Sequence, residues 1–356
     1  MKMLKYKNKG GVLIHMANFY VNTTEVVHKL PNNDRPKFYM FGVPSYTNMG
    51  YQAVSLAERK YIENEFPEYK YIEILEEDDD YAIPIVQEHL QPSDIIAFTG
   101  GGNMGNLYHN HEEARRKVFS TFVNNLTISF PQSIHFEDNE DGEIEKQKSQ
   151  EAYRKNPNLV LVARDAQSFH RMQSTFDNPV IFTPDMVLYM ESVNWKFNRN
   201  GALFVLRHDS EKVVKKSTID NIKDILGNER PVKRVDTVLD EPQKITPVTR
   251  EALFDSELEL FSHQEIIITD RWHAMVFSVL TGTPCLLFGN SYGKGKHAYI
   301  DWLEHIDWIN YTDETDVERI EELLQQLISQ KRHDYDVKND FRQLRDLIKN
   351  NMHNKN

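Results

Sequence analysis

The chain has 356 residues, and 42 Lys+Arg against 54 Asp+Glu leave a formal charge of −12 with a pI near 5.6. That balance repels polyanions and excludes a broad nucleic-acid or anionic-lipid surface, though not a small basic pocket. Apolar residues at 40% and aromatic residues at 11% exclude disorder as the main state. At about 150 residues per domain the length suggests two domains. The single cysteine, Cys285, excludes a disulfide framework and a thiolate-rich zinc site. Its setting in Pro284-Cys285-Leu286-Leu287-Phe288 reads as a core thiol on a buried strand.

No run reaches the ~18 apolar residues that span a bilayer. The basic start, MKMLKYKNKGGVLIHMANFYV, is interrupted by His15 and Asn18 and makes a poor signal peptide, so a cytoplasmic location is expected. The first strong strand signal is Lys37–Gly42, followed by a loop and a helix from about Tyr51 whose Ala53, Leu56, Ala57 and Tyr61 share one face. Glu76–Asp80 (EEDDD) reads as a solvated turn and Glu137–Glu145 (EDNEDGEIE) as an exposed acidic loop. Strand patterns at 69–75, 95–100, 126–130, 159–163 and 180–183 alternate with helical ones at 112–124 and 166–176. This is the signature of parallel βαβ units.

Around Glu191–Asn200 the pattern lapses, and it restarts with strands at 202–207, 232–239, 265–269 and 285–288. The expected architecture is α/β, with two Rossmann-like domains facing a cleft. Residues 1–195 form the first, 196–330 the second, and 331–356 a C-terminal helix that packs back or stays free. A stripe of Val317, Ile320, Leu323, Leu324, Leu327 and Ile328, then Phe341, Leu344, Leu347 and Ile348, marks two closing helices.

In open α/β sheets, ligands sit beyond the carboxyl ends of the strands. Two glycine-bearing loops fall there, Gly42–Gly50 (GVPSYTNMG) and Gly100–Asn106 (GGGNMGN). Their glycines let a ligand approach the backbone, and the N–H groups of a following helix suit an anion or a sugar. Neither matches a P-loop or the G-x-G-x-x-G fingerprint, so ATPase and dehydrogenase readings lose their support. The segment Glu265–Gly289 reads as strand, helix capped by Thr269 or Asp270, and new strand. Arg271 and His273 then fall in the first helical turn, where the dipole already favours anions. An imidazole there can bind phosphate or move a proton. The plainer alternative is a structural arginine paired to a neighbouring loop and a capping histidine. Arg164, Arg207, Lys294 and Lys296 occupy equivalent strand ends and would complete a local basic cleft for a small anion.

Six stretches together, GVPSYTNMGYQA, DIIAFTGGGNMGNLY, VARDAQSF, TPDMVLY, Leu206-Arg207 and TDRWHAMVFSVLTGTPC, resemble the polysaccharide pyruvyl transferase family, particularly its exopolysaccharide-associated Gram-positive members. The resemblance runs from about Phe38 to Trp308 and implies a GT-B-like pair of domains, phosphoenolpyruvate as donor and a sugar diol as acceptor. It implies donor binding by Arg164, Arg271, Arg207 and Lys294, with His273 and Arg271 catalytic. Asn48, Gly50, Gly101, Gly102 and Asn103 would line the acceptor side. No metal and no cofactor beyond phosphoenolpyruvate is called for. A lipid-linked acceptor, which would bring the protein to the inner membrane face, and a homo-oligomer both stay open. Tyr51 and Asn106 stand where relatives often carry Asp, and Ala274 where Gly is usual. These departures remove two acceptor-side carboxylates. Two competing readings follow: a nucleotide-sugar glycosyltransferase of the same fold, with Trp272 or Tyr292 as base platform, and a catalytically silent scaffold of a polysaccharide-synthesis complex.

Overall fold

Two separate sheets account for the alternation. The structure, a computed structural model, describes residues 6–7, 13–14, 17–21, 25–30, 35–193, 195, 197–208, 214–227, 230–241, 243–289, 294–314, 316–330 and 335–353. β1 (Tyr6–Lys7) and β2 (Leu13–Ile14) form a small antiparallel pair. The first large sheet contains β3 (Phe19–Val21), β4 (Glu25–Val27), β5 (Lys37–Val43), β6 (Lys70–Leu75), β7 (Ile95–Phe98), β8 (Gly101–Gly105), β9 (Thr127–His135), β10 (Leu159–Ala163) and β11 (Val180–Phe182). Its spatial order is β11-β10-β9-β7-β5-β6-β3-β4, with β8 beside the end of β9. All of it is parallel except β3 and β4 at one edge. Between the strands run α1 (Met49–Glu65), α2 (Asp79–His89), α3 (His109–Thr121), α4 (Glu140–Arg154) and α5 (Ala166–Thr175).

The second sheet is fully parallel, in the order β13-β12-β14-β15-β16. Its elements are β12 (Ala202–Val205), α6 (Lys216–Leu226), β13 (Val232–Val235), α7 (Pro247–Ser262), β14 (Ile266–Thr269), α8 (Trp272–Thr281), β15 (Cys285–Phe288), α9 (Lys294–Trp302), β16 (Ile309–Thr312) and α10 (Val317–Ser329). α11 (Arg342–His353) then returns to the first sheet's side. There Phe341 packs on Tyr61 and Tyr189, and Arg345 forks onto Glu65. The α/β, Rossmann-like two-sheet expectation is therefore met. In both sheets the strand order reverses at one place, between β5 and β7 and between β12 and β14. These are the switch points where such sheets bind ligands.

One continuous apolar cluster joins the facing sides of the two sheets, through Leu56, Ile62, Phe254, Phe261 and Phe277 among others. A buried fork reinforces it: Arg250 of α7 donates to both oxygens of Glu73 on β6 at 2.8 and 3.0 Å, and to Gln52 of α1 at 2.8 Å. Removing one partner of such a pair is strongly destabilising, so the second unit's Arg250 matters to the stability of the first. Cys285 is fully buried on β15, as its apolar neighbours imply.

Three local expectations are corrected. Gly101–Gly105 is a strand, not a loop. Positive φ at Gly101 (138°) and Gly105 (118°) lets the chain break after β7 and resume pairing beside β9. Glu76–Asp80 is not a solvated turn but leads into α2. Asp78 and Asp79 are buried there, because Asp79 accepts the Gly42 N–H and Asp78 the Asn18 amide. Glu137–Glu145 runs into α4, where Asn139 caps Gly142 N–H and Glu140, Asp141 and Glu143 complement the helix dipole.

Candidate active site

The loop after β13 lies against the loop after β5: Met49 N–H donates to Thr237 O at 2.8 Å, and Leu239 N–H to Thr47 O at 2.9 Å. This strap brings the carboxyl ends of the two sheets together. Asp185 sits at their junction, after β11, and is 2% exposed. Its Oδ2 accepts Arg164 Nη1 at 2.7 Å from the first unit and Trp272 Nε1 at 3.2 Å from the second. His273 Nε2 lies 3.5 Å from the same oxygen and, buried, has no well-directed hydrogen-bond partner. Oδ1 accepts Val187 N–H at 3.0 Å. Burial alone would raise the Asp185 carboxyl, but His273, Arg164 and the Val187 N–H outweigh it and hold the group well below the usual carboxylate range.

Two glycines press on this cluster. A Cβ on Gly50 would lie 2.7 Å from His273 Cγ, and one on Gly102 would lie 2.8 Å from Arg164 Nη2. Only hydrogen fits at either position, so His273 is wedged against the start of α1 and Arg164 against β8. Tyr51 fills the remaining side: its ring meets the space at Gly101 and stands 6.3 Å from the His273 ring. Tyr51 thus gives this side of the cluster an aromatic wall. Asn106, the second departure, is turned away. It donates to Glu137 and Asp141 and accepts Glu137 N–H, clasping β8 to the start of α4. Ala274 is buried within α8.

Arg164, His273, Gly50 and Gly102 are therefore brought together, but the expected open cluster of guanidiniums is corrected. Arg164 is held by Asp185 and by Ser133 Oγ at 2.9 Å. Ser133 in turn donates to Asp165, the residue that caps α5. Arg271 forks onto Asp236 at the end of β13, at 2.7 and 2.8 Å, which is the pairing to a neighbouring loop that the plainer reading describes. The cap is also different: Arg271 itself is the N-cap residue of α8. Thr269 Oγ1 accepts Arg271 N–H, while Asp270 turns to the Arg207 N–H. Arg207 is buried at the end of β12 beside Asp270, whose carboxyl burial pushes up against those two arginines.

Asn103 does not line the site. Its side chain points inward to Arg115 at 2.7 Å and Gln132 at 3.2 Å, as the alternation of β8 requires. Asn48 spends its carbonyl oxygen on capping Gly50 N–H. Lys296 pairs with Asp313 on the rim of the second sheet. Lys294 begins α9, but its side chain and Tyr292 lie outside the described residues. Asp185 and Asp236, the carboxylates that organise the cluster, were not assigned roles from the sequence. Asp185 stands within the TPDMVLY stretch, where an acid after proline at a strand end was the available signal. Among the described residues no helix is long and apolar enough to cross a membrane.

The family model for polysaccharide pyruvyl transferase matches residues 48–292, which include the whole Asp185 cluster and all of the strap but Thr47. General stress protein 30 of Bacillus subtilis (strain 168) is 48% identical over 316 residues, covering 89% of this chain and 92% of its own. Pyruvyl transferase 1 of Schizosaccharomyces pombe is 30% identical over 285 residues, covering 75% of this chain and 70% of its own. Among solved structures, an uncharacterised protein of Klebsiella pneumoniae superposes with a TM-score of 0.53 at 18% identity, over 79% of this chain and 94% of that one. That likeness bears on the fold alone. On the extent of the family match and the two-sheet fold that carries it, the chain belongs to the polysaccharide pyruvyl transferase family and is an enzyme of that kind.

Proposed function

We propose that the protein transfers pyruvate from phosphoenolpyruvate to a sugar diol of a cell-surface polysaccharide or its precursor. The observation that carries this reading is the meeting of Arg164 and His273, one from each unit, on the single ionised Asp185. A proton-moving ring and a fixed cation stand together there, at the junction of two ligand-binding sheet edges.

In the reaction, C3 of phosphoenolpyruvate gains a proton and C2 takes on oxocarbenium character. One sugar hydroxyl attacks C2 and gives up its proton. The C2–O bond to phosphate then breaks, and the second hydroxyl closes the ketal. Of the two hydroxyl protons released, one balances the new methyl group and the other leaves with phosphate. His273 is the general acid. Arg164 carries five N–H donors, of which Asp185 and Ser133 take two. The donors that these two leave, with the N–H groups that open α8, receive the donor's anionic groups. Arg271, oriented by Asp236, supplies a second positive charge that stabilises the departing phosphate.

Phosphate release from phosphoenolpyruvate across a panel of glycan acceptors tests the proposal. His273→Ala should lose ~10²-fold or more in turnover while remaining folded. Turnover close to wild type in that variant overturns the assignment. Thermal stabilisation by nucleotide sugars but not by phosphoenolpyruvate would instead favour the glycosyltransferase reading.

A further inference from the structure

A cavity of about 310 Å³ opens at the carboxyl edge of the first sheet and plays no part in the chemistry above. Its walls are Glu76, Glu77 and Asp79 after β6, Phe98 at the end of β7, and Asn110, His111 and Ala114 at the start of α3. Asp79 is 3% exposed. Its Oδ1 accepts the Gly42 N–H at 3.0 Å, whereas Oδ2 is buried without a hydrogen-bond partner. Buried polar atoms are nearly always paired, so this unpaired oxygen makes the wall behind the cavity unusually polar. Across the cavity, Glu76 Oε2 and His111 Nδ1 stand 3.6 Å apart, too far for a direct hydrogen bond.

The charges here are muted. Burial, then the neighbouring Glu77, pushes the Glu76 carboxyl up to about 7, and burial with Arg115 holds His111 down to about 4. Glu77 is neutralised by Lys244 of the second unit and by Ser45. Nor do these groups converge as metal ligands do. Among the described residues that spacing is found at His109, Asp141 and Glu145, elsewhere on the surface. The lining thus offers both donors and acceptors with little net charge, beside aromatic rings. Tyr46 lies 6.2 Å from His111 and 5.8 Å from Tyr51, which in turn faces His273. A file of rings connects the cavity to the candidate active site.

We infer that this cavity receives a neutral hexose ring of the acceptor, with Glu76 and His111 hydrogen-bonding its hydroxyl groups. The inference rests on the pyruvyl transfer reading, and it places an acceptor-side carboxyl where Tyr51 and Asn106 withhold one.

Saturation-transfer NMR with methyl β-D-glucopyranoside and methyl β-D-galactopyranoside tests it without turnover. Wild-type protein should give a hexoside signal. That signal should weaken by ~10-fold or more in Glu76→Gln and His111→Ala, since lost hydroxyl partners weigh heavily in such sites. It should vanish in Ala114→Phe, which fills the space. Thermal stabilisation by phosphoenolpyruvate should persist in all three. If Ala114→Phe fails to fold, Glu76→Gln decides. An undiminished signal in the folded variants, or none from wild type, overturns the inference. A hexoside signal that obeys these variants without any response to phosphoenolpyruvate supports the cavity and overturns the donor assignment instead.

Discussion

Gly50→Ala separates the placing of His273 from the folding of the chain. Gly50 lies in the first turn of α1, with ordinary helical backbone and its N–H on Asn48. Alanine is therefore acceptable to the backbone, and on propensity alone the change should stabilise by about 0.5–1 kcal/mol. The new methyl would, however, stand 2.7 Å from His273 Cγ. To reach ordinary carbon contact near 3.5 Å, the ring must retreat by about 1 Å. A displacement of that size at a reacting group costs about 10²-fold in rate. The expected result is a folded protein with phosphate release from phosphoenolpyruvate down about 100-fold. Urea denaturation of Gly50→Ala, His273→Ala and the double variant closes the cycle. Once the imidazole is gone, Gly50→Ala should stabilise by up to about 1 kcal/mol. Full activity in Gly50→Ala refutes the wedge. So does a double variant as strained as Gly50→Ala alone, because the clash would then lie elsewhere.

Asp185 has a depressed carboxyl, so its contribution to stability is complete above the ordinary value of about 3.9 and fades as pH falls below it. Asp185→Asn should cost about 3–5 kcal/mol at pH 7 by stranding Arg164, with the gap to wild type narrowing below pH ~4 in urea titrations. Glu58 is the reverse case: burial outweighs its bonds from Gly100 N–H and Thr99 and pushes it up to about 8. Its stabilising proton is fully present below about 4.3 and lost as pH rises through about 8. Glu58→Gln should flatten the pH dependence of unfolding across that window, and an unchanged slope would count against a buried protonated carboxyl. Arg250→Ala should cost about 3–5 kcal/mol by leaving Glu73 buried and uncompensated, whereas Arg250→Met with Glu73→Leu should recover most of it. Burial pushes the Cys285 thiol up to about 12. Iodoacetamide at pH 8 should therefore label it only as fast as the protein unfolds, and rapid labelling of folded protein would show otherwise.

Much of this protein is written in short-range pattern. The apolar runs of β5, β7, β10, β12, β14 and β15 and the helical stripes are local signals, and they sufficed for two parallel α/β units. The Arg271-Trp272-His273 turn was legible because a cation and an imidazole opening a helix are unusual as a pair. What that turn faces is a matter of long-range partners. Asp185 and Asp236 look like ordinary loop acids until the two sheets meet, and only then do they claim Arg164 and Arg271. EEDDD looked solvated because periodicity cannot show that Gly42 N–H needs an acceptor from Asp79. Asn103 looked like a ligand group because composition cannot tell which way a strand residue points, and β8 points it at Arg115. Sequence thus settles the apolar strands and striped helices of the two parallel units, since these depend on residues a few positions apart. Which charges stay open and which are spent depends on pairings between distant segments, and only the tertiary structure decides them.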